Sequence, residues 1–246
     1  MGPQAGIELA TQVVAQTAAR RDQDHIPLIL YSQPNVPDRT AFLTEESAPS
    51  PALAIAEGLS TLQESGAQIA GIACNTAHAP PIFDEVQRAL KERNATIKVF
   101  HLIEETVRAI TTEFPSIKRV GVLGTKGTLS SRMYDDRLEK FGLIALRPPN
   151  MEGLMAAIYD PETGVKSCSS PIHPAAREQI LEAIEQVEKL GAEAVILGCT
   201  ELPLAVPEPS VNGLAMIDPS AMLARALVHY ASPDRLREMR VPDDYS

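Results

Sequence analysis

The stretch GAQIAGIAC at residues 66–74 returns as GAEAVILGC at residues 191–199. Both stretches begin at a glycine and end at a cysteine, and the offset is 191 − 66 = 125 at the glycines and 199 − 74 = 125 at the cysteines. A helix is predicted before each stretch, at residues 51–64 and 174–190. A short apolar run between helices is typical of a buried parallel β-strand. We therefore expect two copies of one α/β unit, each with a cysteine at the carboxyl end of a strand.

Alternating helices and strands are predicted along the rest of the chain, which favours an α/β fold. The offset of 125 also relates Gly2 to Gly127, and helices are predicted after them at residues 4–20 and 128–140. The other predicted strands are residues 26–31, 98–100, 143–146 and 213–217, and the other predicted helices are residues 82–92, 103–113, 151–159 and 220–231. We expect two similar open parallel-sheet lobes, related by a pseudo-twofold, with the active site in the cleft between them.

One strand of the second half has no counterpart in the first half. The apolar stretch at residues 119–124 precedes the helix that follows Gly127, whereas nothing precedes Met1 in this sequence. If the halves are duplicated units, the first strand of the first lobe is missing. We therefore expect that the start of the chain is truncated.

Composition and charge exclude several classes of function. The net charge of −10 disfavours binding to nucleic acid or to an anionic membrane, because these partners are also negative. No apolar run approaches the roughly 20 residues of a membrane-spanning helix, and the start lacks the features of a secretory signal, so a cytoplasmic protein is expected. The cysteines Cys74, Cys168 and Cys199 show no CxxC spacing and no clustered histidines, which indicates free thiols rather than disulfides or a zinc site.

The two repeated cysteines form a candidate catalytic pair. Ligands of open α/β sheets bind at the carboxyl ends of strands, where Cys74 and Cys199 are predicted to lie. A thiolate on one face of a carbon centre can remove a proton while a thiol on the other face delivers one, which is the requirement for inverting a stereocentre. One cysteine at a strand end is more often a packing residue. Two at equivalent positions favour catalysis, whereas Cys168 has no equivalent and is interpreted as structural.

The flanks of these cysteines carry a family resemblance. ACNTAH at residues 73–78 and GCTE at residues 198–201 resemble the aspartate/glutamate racemase superfamily. The opening MGP, PDRT at residues 37–40 and the stretch 159–166 are more specifically similar to aspartate racemases. The resemblance covers essentially the whole chain. It implies a homodimeric racemase that interconverts L- and D-aspartate, or glutamate, with neither pyridoxal phosphate nor a metal.

The same resemblance implies roles for individual residues and for the lobes. Cys74 and Cys199 match the catalytic pair. Matched residues around the substrate's carboxylates or in the loop lining the site are Met1, Gly2, Arg39, Asn75, Thr76, Lys166 and Thr200. The C-terminal segment is implied to complete the first lobe, giving an N-terminal lobe of residues 1–103 plus 212–246 and a C-terminal lobe of residues 104–211. Relatives have a strand and a Gly-Gly pair before the MGP turn. This chain also differs from its relatives in the residues that follow Lys166.

Other functions remain open from the sequence. A maleate-type cis–trans isomerase also uses two cysteines, one of them adding covalently to a dicarboxylic substrate. A non-catalytic amino-acid-binding relative would keep the same cleft. Arylmalonate decarboxylases resemble a single-cysteine version, and hydantoin racemases would not need both Arg39 and Lys166. Single polar residues have simpler interpretations. His78 either tunes Cys74 or is structural, and His173 is expected at a helix start. Glu201 either orients Cys199 or caps its own helix, and capping is the simpler interpretation.

Overall fold

The computed structural model describes residues 1–239, which form two compact units. The first unit comprises Met1–Glu105 and Ser220–Glu238, and the second comprises Thr106–Pro219 and, of the residues after Glu238, the described Met239. Parallel strands with helices around them occur in both units, which confirms the predicted α/β class. Residues 240–246 of the predicted N-terminal lobe lie outside the described residues, and the predicted lobe boundaries stay a prediction. Within residues 1–239, no helix is both long and apolar enough to cross a membrane.

The elements alternate along the chain as the sequence predicts. The helices are α1 (Pro3–Gln16), α2 (Arg39–Thr44), α3 (Ala52–Glu64), α4 (Pro80–Glu92), α5 (Leu102–Glu113), α6 (Lys126–Ser130), α7 (Met133–Lys140), α8 (Met151–Tyr159), α9 (Pro174–Lys189), α10 (Leu202–Ala205) and α11 (Pro219–Ala231). The strands are β1 (Ile69–Gly71), β2 (Lys98–Phe100), β3 (Arg119–Gly124), β4 (Ile144–Leu146), β5 (Ala194–Gly198), β6 (Ser210–Val211) and β7 (Leu214–Ile217).

The sheet of the second unit has the strand order β4-β3-β5-β7-β6. All its pairings are parallel except that of β6 with β7. The central strands β3 and β5 are buried almost throughout, and α8 and α9 pack against each other beside them. The strand predicted at residues 213–217 is therefore β7, and it extends the sheet of the second unit because Ala194 of β5 pairs with Ala215.

In the first unit, β1 and β2 form a parallel pair in which Ile69 lies opposite Lys98. Helix α11 covers β1 so closely that a Cβ on Gly71 would lie 2.8 Å from Leu223 Cδ2. The strand predicted at residues 26–31 is wrong, because these residues form neither helix nor strand. An isolated apolar run becomes a strand only where a neighbouring strand supplies hydrogen bonds, and no described strand pairs with this one.

Both copies of the repeated stretch turn from helix into strand in the same way. Gly66 and Gly191 have φ values of +98° and +87°, a region that glycine enters without strain. Directly after them, the backbone N–H of Ala67 donates to the carbonyl of Leu62, and that of Ala192 donates to Val187. These bonds close the last helical turns, so equivalent glycines direct the chain into β1 and β5.

Two predicted helices are shorter than the sequence pattern indicates. The first ends at Gln16 rather than at residue 20, and the one predicted at residues 128–140 is divided into α6 and α7. Arg132 between them has φ of +52°, which is incompatible with a continuous right-handed helix. Its side chain forms ion pairs with Asp136 and Glu139 of α7.

Strands β3 and β5 approach closely where they end. A Cβ on Gly198 would lie 2.6 Å from the carbonyl oxygen of Leu123, and one on Gly124 would lie 2.9 Å from the carbonyl oxygen of Gly198. No side chain fits at this separation unless the backbone moves. The close approach of Gly124 and Gly198 therefore determines where Cys199, the next residue, lies.

We expect Gly198→Ala to lower the free energy of unfolding by about 2 kcal/mol, because the added methyl group must displace backbone rather than a flexible side chain. Urea denaturation of the full chain measures the change. Gly153→Ala in α8 is the matched control, since its Cβ would meet no atom within 4 Å. We expect the control to be neutral or slightly stabilising, and equal midpoints for the two variants would contradict the packing argument.

Candidate active site

Cys199 directly follows β5 and is buried, with 4% of its surface exposed. Its Sγ donates a hydrogen bond to Glu201 Oε2 over 3.1 Å, and Thr200 Oγ1 donates to the same oxygen over 3.1 Å. The other carboxylate oxygen, Oε1, accepts from Lys166 Nζ over 3.1 Å. The carboxylate of Glu201 therefore joins Cys199, Thr200 and Lys166 into one network.

The expectation that Glu201 caps its own helix is wrong. Glu201 stands at the start of α10, but its side chain makes no capping hydrogen bond. The carboxylate instead lies against the thiol of Cys199, where it is almost completely buried. A buried carboxylate is stable only with several donors and a counter-ion, and Lys166 supplies that ion.

The network sets opposite protonation states for its acid and its thiol. Burial raises the pKa of Cys199, and the negative charge of Glu201 raises it further, while Lys166 acts in the other direction. Burial also tends to raise the pKa of Glu201. The charge of Lys166 and the hydrogen bonds from Cys199, Lys166 and Thr200 outweigh this effect and hold that pKa below its usual value. At neutral pH, Glu201 is thus a carboxylate and Cys199 a thiol that donates to it.

Cys74 lies in different surroundings in the first unit. It follows β1 after a short connection, is half-buried, and packs beside the hydrophobic core that contains Ile72 and Ile82. Asn75 and Thr76 are both buried directly after it, and Thr76 begins a 3-10 turn that ends at His78. The predicted substrate-binding pair Asn75 and Thr76 therefore lies next to Cys74.

His78 fixes the turn that follows Cys74. Its Nδ1 lies 2.9 Å from the carbonyl oxygen of Cys74, which can only accept, so Nδ1 carries the proton. Burial, and then the nearby His101, lower the pKa of His78 to about 3, which makes the ring neutral at physiological pH. The ring stacks on Phe83, with 5.2 Å between centroids. These contacts favour the interpretation of His78 as a positioning residue rather than a charged group.

Arg39 is held beside the same turn. Asp38 caps α2 by accepting from the backbone N–H of Ala41 over 2.7 Å. Arg39 Nη1 donates to the carbonyls of Val36 and Pro37, which orients the guanidinium. Helix α2 contacts the 3-10 turn Thr76–His78. The structure thus places the helix of Arg39 next to the residues that follow Cys74.

Met1 and Gly2, which the sequence predicts to line the site, also belong to the first unit. The amino group of Met1 donates to the carbonyl of Gln33 over 2.7 Å, and Met1 packs against the same hydrophobic core as Cys74. Gly2 precedes the first turn of α1.

Cys168 and His173, the other residues considered from the sequence, make local contacts. Cys168 Sγ donates to the carbonyl of Glu162 over 3.1 Å, and all three cysteines are free thiols. His173 caps α9 by accepting from the backbone N–H of Ala175, which confirms its predicted place at a helix start. Within the described part of the chain, no group of three or more His, Cys, Asp or Glu side chains could hold a metal ion.

Comparison with known proteins places this chain in a family. The model of the family described as Asp/Glu/Hydantoin racemase matches residues 1–227. The chain belongs to this family. This membership confirms the expectation of an amino-acid racemase of the type that works without pyridoxal phosphate.

Individual relatives agree with this assignment. The chain is similar to the aspartate racemase of Picrophilus torridus, with a TM-score of 0.80 and 29% identity over 96% of this chain and 92% of that one. It is also similar to an aspartate racemase homologue from Pyrococcus horikoshii OT3, with a TM-score of 0.69 and 25% identity over 94% of this chain and 95% of that one. The broad specificity amino-acid racemase RacX of Bacillus subtilis (strain 168) is 25% identical, and the match covers 93% of each chain.

The coupling between Glu201 and Cys199 gives a direct test. Glu201→Gln removes the charge that raises the pKa of the thiol, so the reactive thiolate forms at lower pH. In a Cys74→Ser, Cys168→Ser background, we expect alkylation of Cys199 by iodoacetamide at pH 8 to be about ten times faster than with Glu201 present. Mass spectrometry measures the rate as a function of pH.

Glu152→Gln in the same background is the control, because Glu152 is an exposed residue of α8. We expect its alkylation profile to match the parent. A Glu201→Gln profile that also matches the parent would show that Glu201 does not govern this thiol.

Proposed function

We propose that this protein interconverts L- and D-aspartate, with Cys74 and Cys199 as an acid–base pair acting on opposite faces of the α-carbon. The observation that carries the proposal is that a buried carboxylate keeps Cys199 protonated, at the position that the repeat makes equivalent to Cys74. A racemase needs one thiol ready to give a proton when the other group removes one. The similarity to an aspartate racemase over nearly the whole chain supports the choice of substrate.

Cys199 begins the proposed reaction as the acid. The thiolate of Cys74 removes the α-proton from one face, and the C–H electron pair is delocalised into the α-carboxylate. Cys199 then delivers its proton to the other face. The product leaves Cys74 as a thiol and Cys199 as a thiolate, which is the arrangement needed for the reverse reaction.

Lys166 has a defined part in this cycle. Once Cys199 has given up its proton, its thiolate lies beside the carboxylate of Glu201, and two negative charges at this distance repel each other. The ammonium of Lys166 lies 3.1 Å from Glu201 and offsets that repulsion. Lys166 is therefore proposed to stabilise the thiolate form of Cys199 as well as to attract the substrate.

The proposed substrate is dicarboxylic because two cations, Arg39 and Lys166, are assigned to its carboxylates. Arg39 can hold a carboxylate through two parallel hydrogen bonds, and its guanidinium is oriented by the loop carbonyls of Val36 and Pro37. Asn75, Thr76 and Thr200 are proposed to hold the α-carboxylate region, and Met1 and Gly2 to line the site. Glutamate is longer by one methylene, a difference worth about 1–3 kcal/mol in a fitted site, so we expect aspartate to be preferred. We also propose that the protein forms a homodimer, as its resemblance to the racemase family implies.

Chiral chromatography of L-aspartate incubated with the protein tests this function. We expect D-aspartate to form, and Cys74→Ser and Cys199→Ser each to reduce the rate by at least about a thousandfold, because a serine hydroxyl is a poor base and a poor acid at neutral pH. Cys168→Ser is the matched control and should retain the parental rate.

Circular dichroism of each variant checks that it is folded. Normal racemisation by either folded variant would contradict the two-cysteine assignment. Racemisation of many amino acids at similar rates would overturn the preference for aspartate, and conversion of maleate to fumarate without racemisation would favour the cis–trans isomerase.

A further inference from the structure

The segment between α8 and α9 carries Lys166, the counter-ion of Glu201. Residues 161–167 of this segment form turns and a bend rather than helix or strand. The Lys166 side chain is 31% exposed, and a flexible lysine in such a position pairs only weakly with a carboxylate unless its backbone is held nearby. The conformation of the segment therefore decides whether Lys166 meets Glu201.

Asp160, the first residue after α8, closes a turn of residues 160–164, which we call the Asp160 turn. Its Oδ1 accepts from the backbone N–H of Glu162 over 2.9 Å, from that of Thr163 over 2.8 Å and from Thr163 Oγ1 over 3.0 Å. Its backbone carbonyl accepts from the N–H of Gly164 over 2.9 Å. The bonds from Thr163 and Glu162 hold the pKa of Asp160 below its usual value, so the turn is closed by a carboxylate.

Gly164 allows the Asp160 turn to lie directly against the end of α8. A Cβ at this position would lie 2.6 Å from a backbone nitrogen of the turn and 3.0 Å from the carbonyl oxygen of Ile158. The next two residues bond to the helix: the N–H of Val165 donates to the carbonyl of Ala157 over 2.8 Å, and that of Lys166 donates to Ile158 over 3.3 Å. The chain thus returns to α8 at the residue that carries the ammonium.

The residue before Lys166 is fixed in the core of the second unit. Val165 is completely buried, and it belongs to the same hydrophobic core as Cys199 and Leu202. Leu202 in turn directly follows Glu201 in the sequence. The backbone of Lys166 is therefore held on one side by the Asp160 turn and α8, and on the other by the core in which Cys199 lies.

We propose that Asp160 is a positioning residue for the active site, because the turn that its carboxylate closes holds Lys166 against Glu201. The carboxylate of Asp160 bonds to the turn, and the turn sets the backbone of Lys166, so that Asp160 acts on Cys199 through Lys166. The effect on the thiol of Cys199 follows from these contacts alone. The effect on racemisation rests on the proposed function.

The direction of the effect separates positioning from a direct influence of charge. Lys166 acts to lower the pKa of Cys199, so displacement of Lys166 means that the thiolate forms only at higher pH. Removal of a negative charge would by itself have the opposite effect on a nearby thiol. Slower alkylation of Cys199 after the loss of Asp160 therefore indicates a displaced lysine.

Alkylation of Cys199 by iodoacetamide in a Cys74→Ser, Cys168→Ser background tests the proposal. We expect Asp160→Ala to slow the reaction at pH 8 at least about threefold, as Lys166→Met does. In the Lys166→Met chain, Asp160→Ala should cause no further change, because the effects of two residues that act through one interaction do not add. Asp160→Asn should retain most of the parental rate, since its amide oxygen can accept the same hydrogen bonds.

Glu162→Gln is the matched control. It removes a carboxylate from an exposed residue of the Asp160 turn but keeps the backbone N–H that donates to Asp160, so we expect the parental rate. An Asp160→Ala rate equal to that of the parent would overturn the proposal. So would a further slowing in the Lys166→Met chain, since Asp160 would then act on Cys199 by another route.

Circular dichroism checks that each variant is folded. If Asp160→Ala does not fold, Thr163→Val provides the second measurement, because it removes one of the three hydrogen bonds to Asp160 Oδ1 and leaves the other two. We expect Thr163→Val to slow the alkylation of Cys199 in the same direction. An unchanged rate would overturn the proposal.

Racemisation of L-aspartate supplies an independent readout. We expect Asp160→Ala and Lys166→Met to lower kcat/KM by the same factor, with no additional loss in the double variant. A parental chain that shows the expected alkylation rates but does not racemise aspartate would contradict the proposed function and still support the positioning role. Racemisation by the parent, with an additional loss in the double variant, would overturn the positioning role alone.

Discussion

The hydrogen bond from the thiol of Cys199 to the carboxylate of Glu201 is the interaction on which the site of the second unit depends. A carboxylate buried this deeply requires donors and a counter-ion, and Thr200 and Lys166 provide them. Lys166 lies 35 positions away in the sequence, so the network joins distant segments of the unit. The carboxylate holds the thiol in its protonated form, and the ammonium of Lys166 acts on the thiol pKa in the opposite direction.

The two copies of the unit share a position for their cysteines but not the surroundings. Cys199 is buried against an acid, whereas Cys74 is half-buried and is followed by a turn that a neutral histidine fixes through a backbone carbonyl. The proposed racemisation uses two groups at equivalent positions, and duplication of one unit supplies that equivalence. The carboxylate of Glu201 holds Cys199 in the protonated form.

The features that could be predicted from the sequence are those with local causes. A short-range sequence pattern is enough to predict the glycines that end the helices, the apolar run of β5 and the cysteine after it. The partner of Glu201 could not be predicted in this way, because its contact with Lys166 depends on side-chain geometry across 35 positions. Residues 26–31 have the composition of a strand but form none, since strand formation also depends on what lies beside the segment.

The central claim is that two different groups handle the proton on the two faces of the substrate. Racemisation of L-aspartate in D2O, stopped within the first few per cent of conversion and analysed by chiral separation with mass spectrometry, tests it most directly. The acid cysteine carries a solvent-derived deuteron, so the account predicts deuterium at the α-carbon of the D-aspartate product while the remaining L-aspartate keeps protium. Product that retains the substrate's protium, or deuterium that enters both enantiomers at the same rate, would indicate a single base and contradict the account.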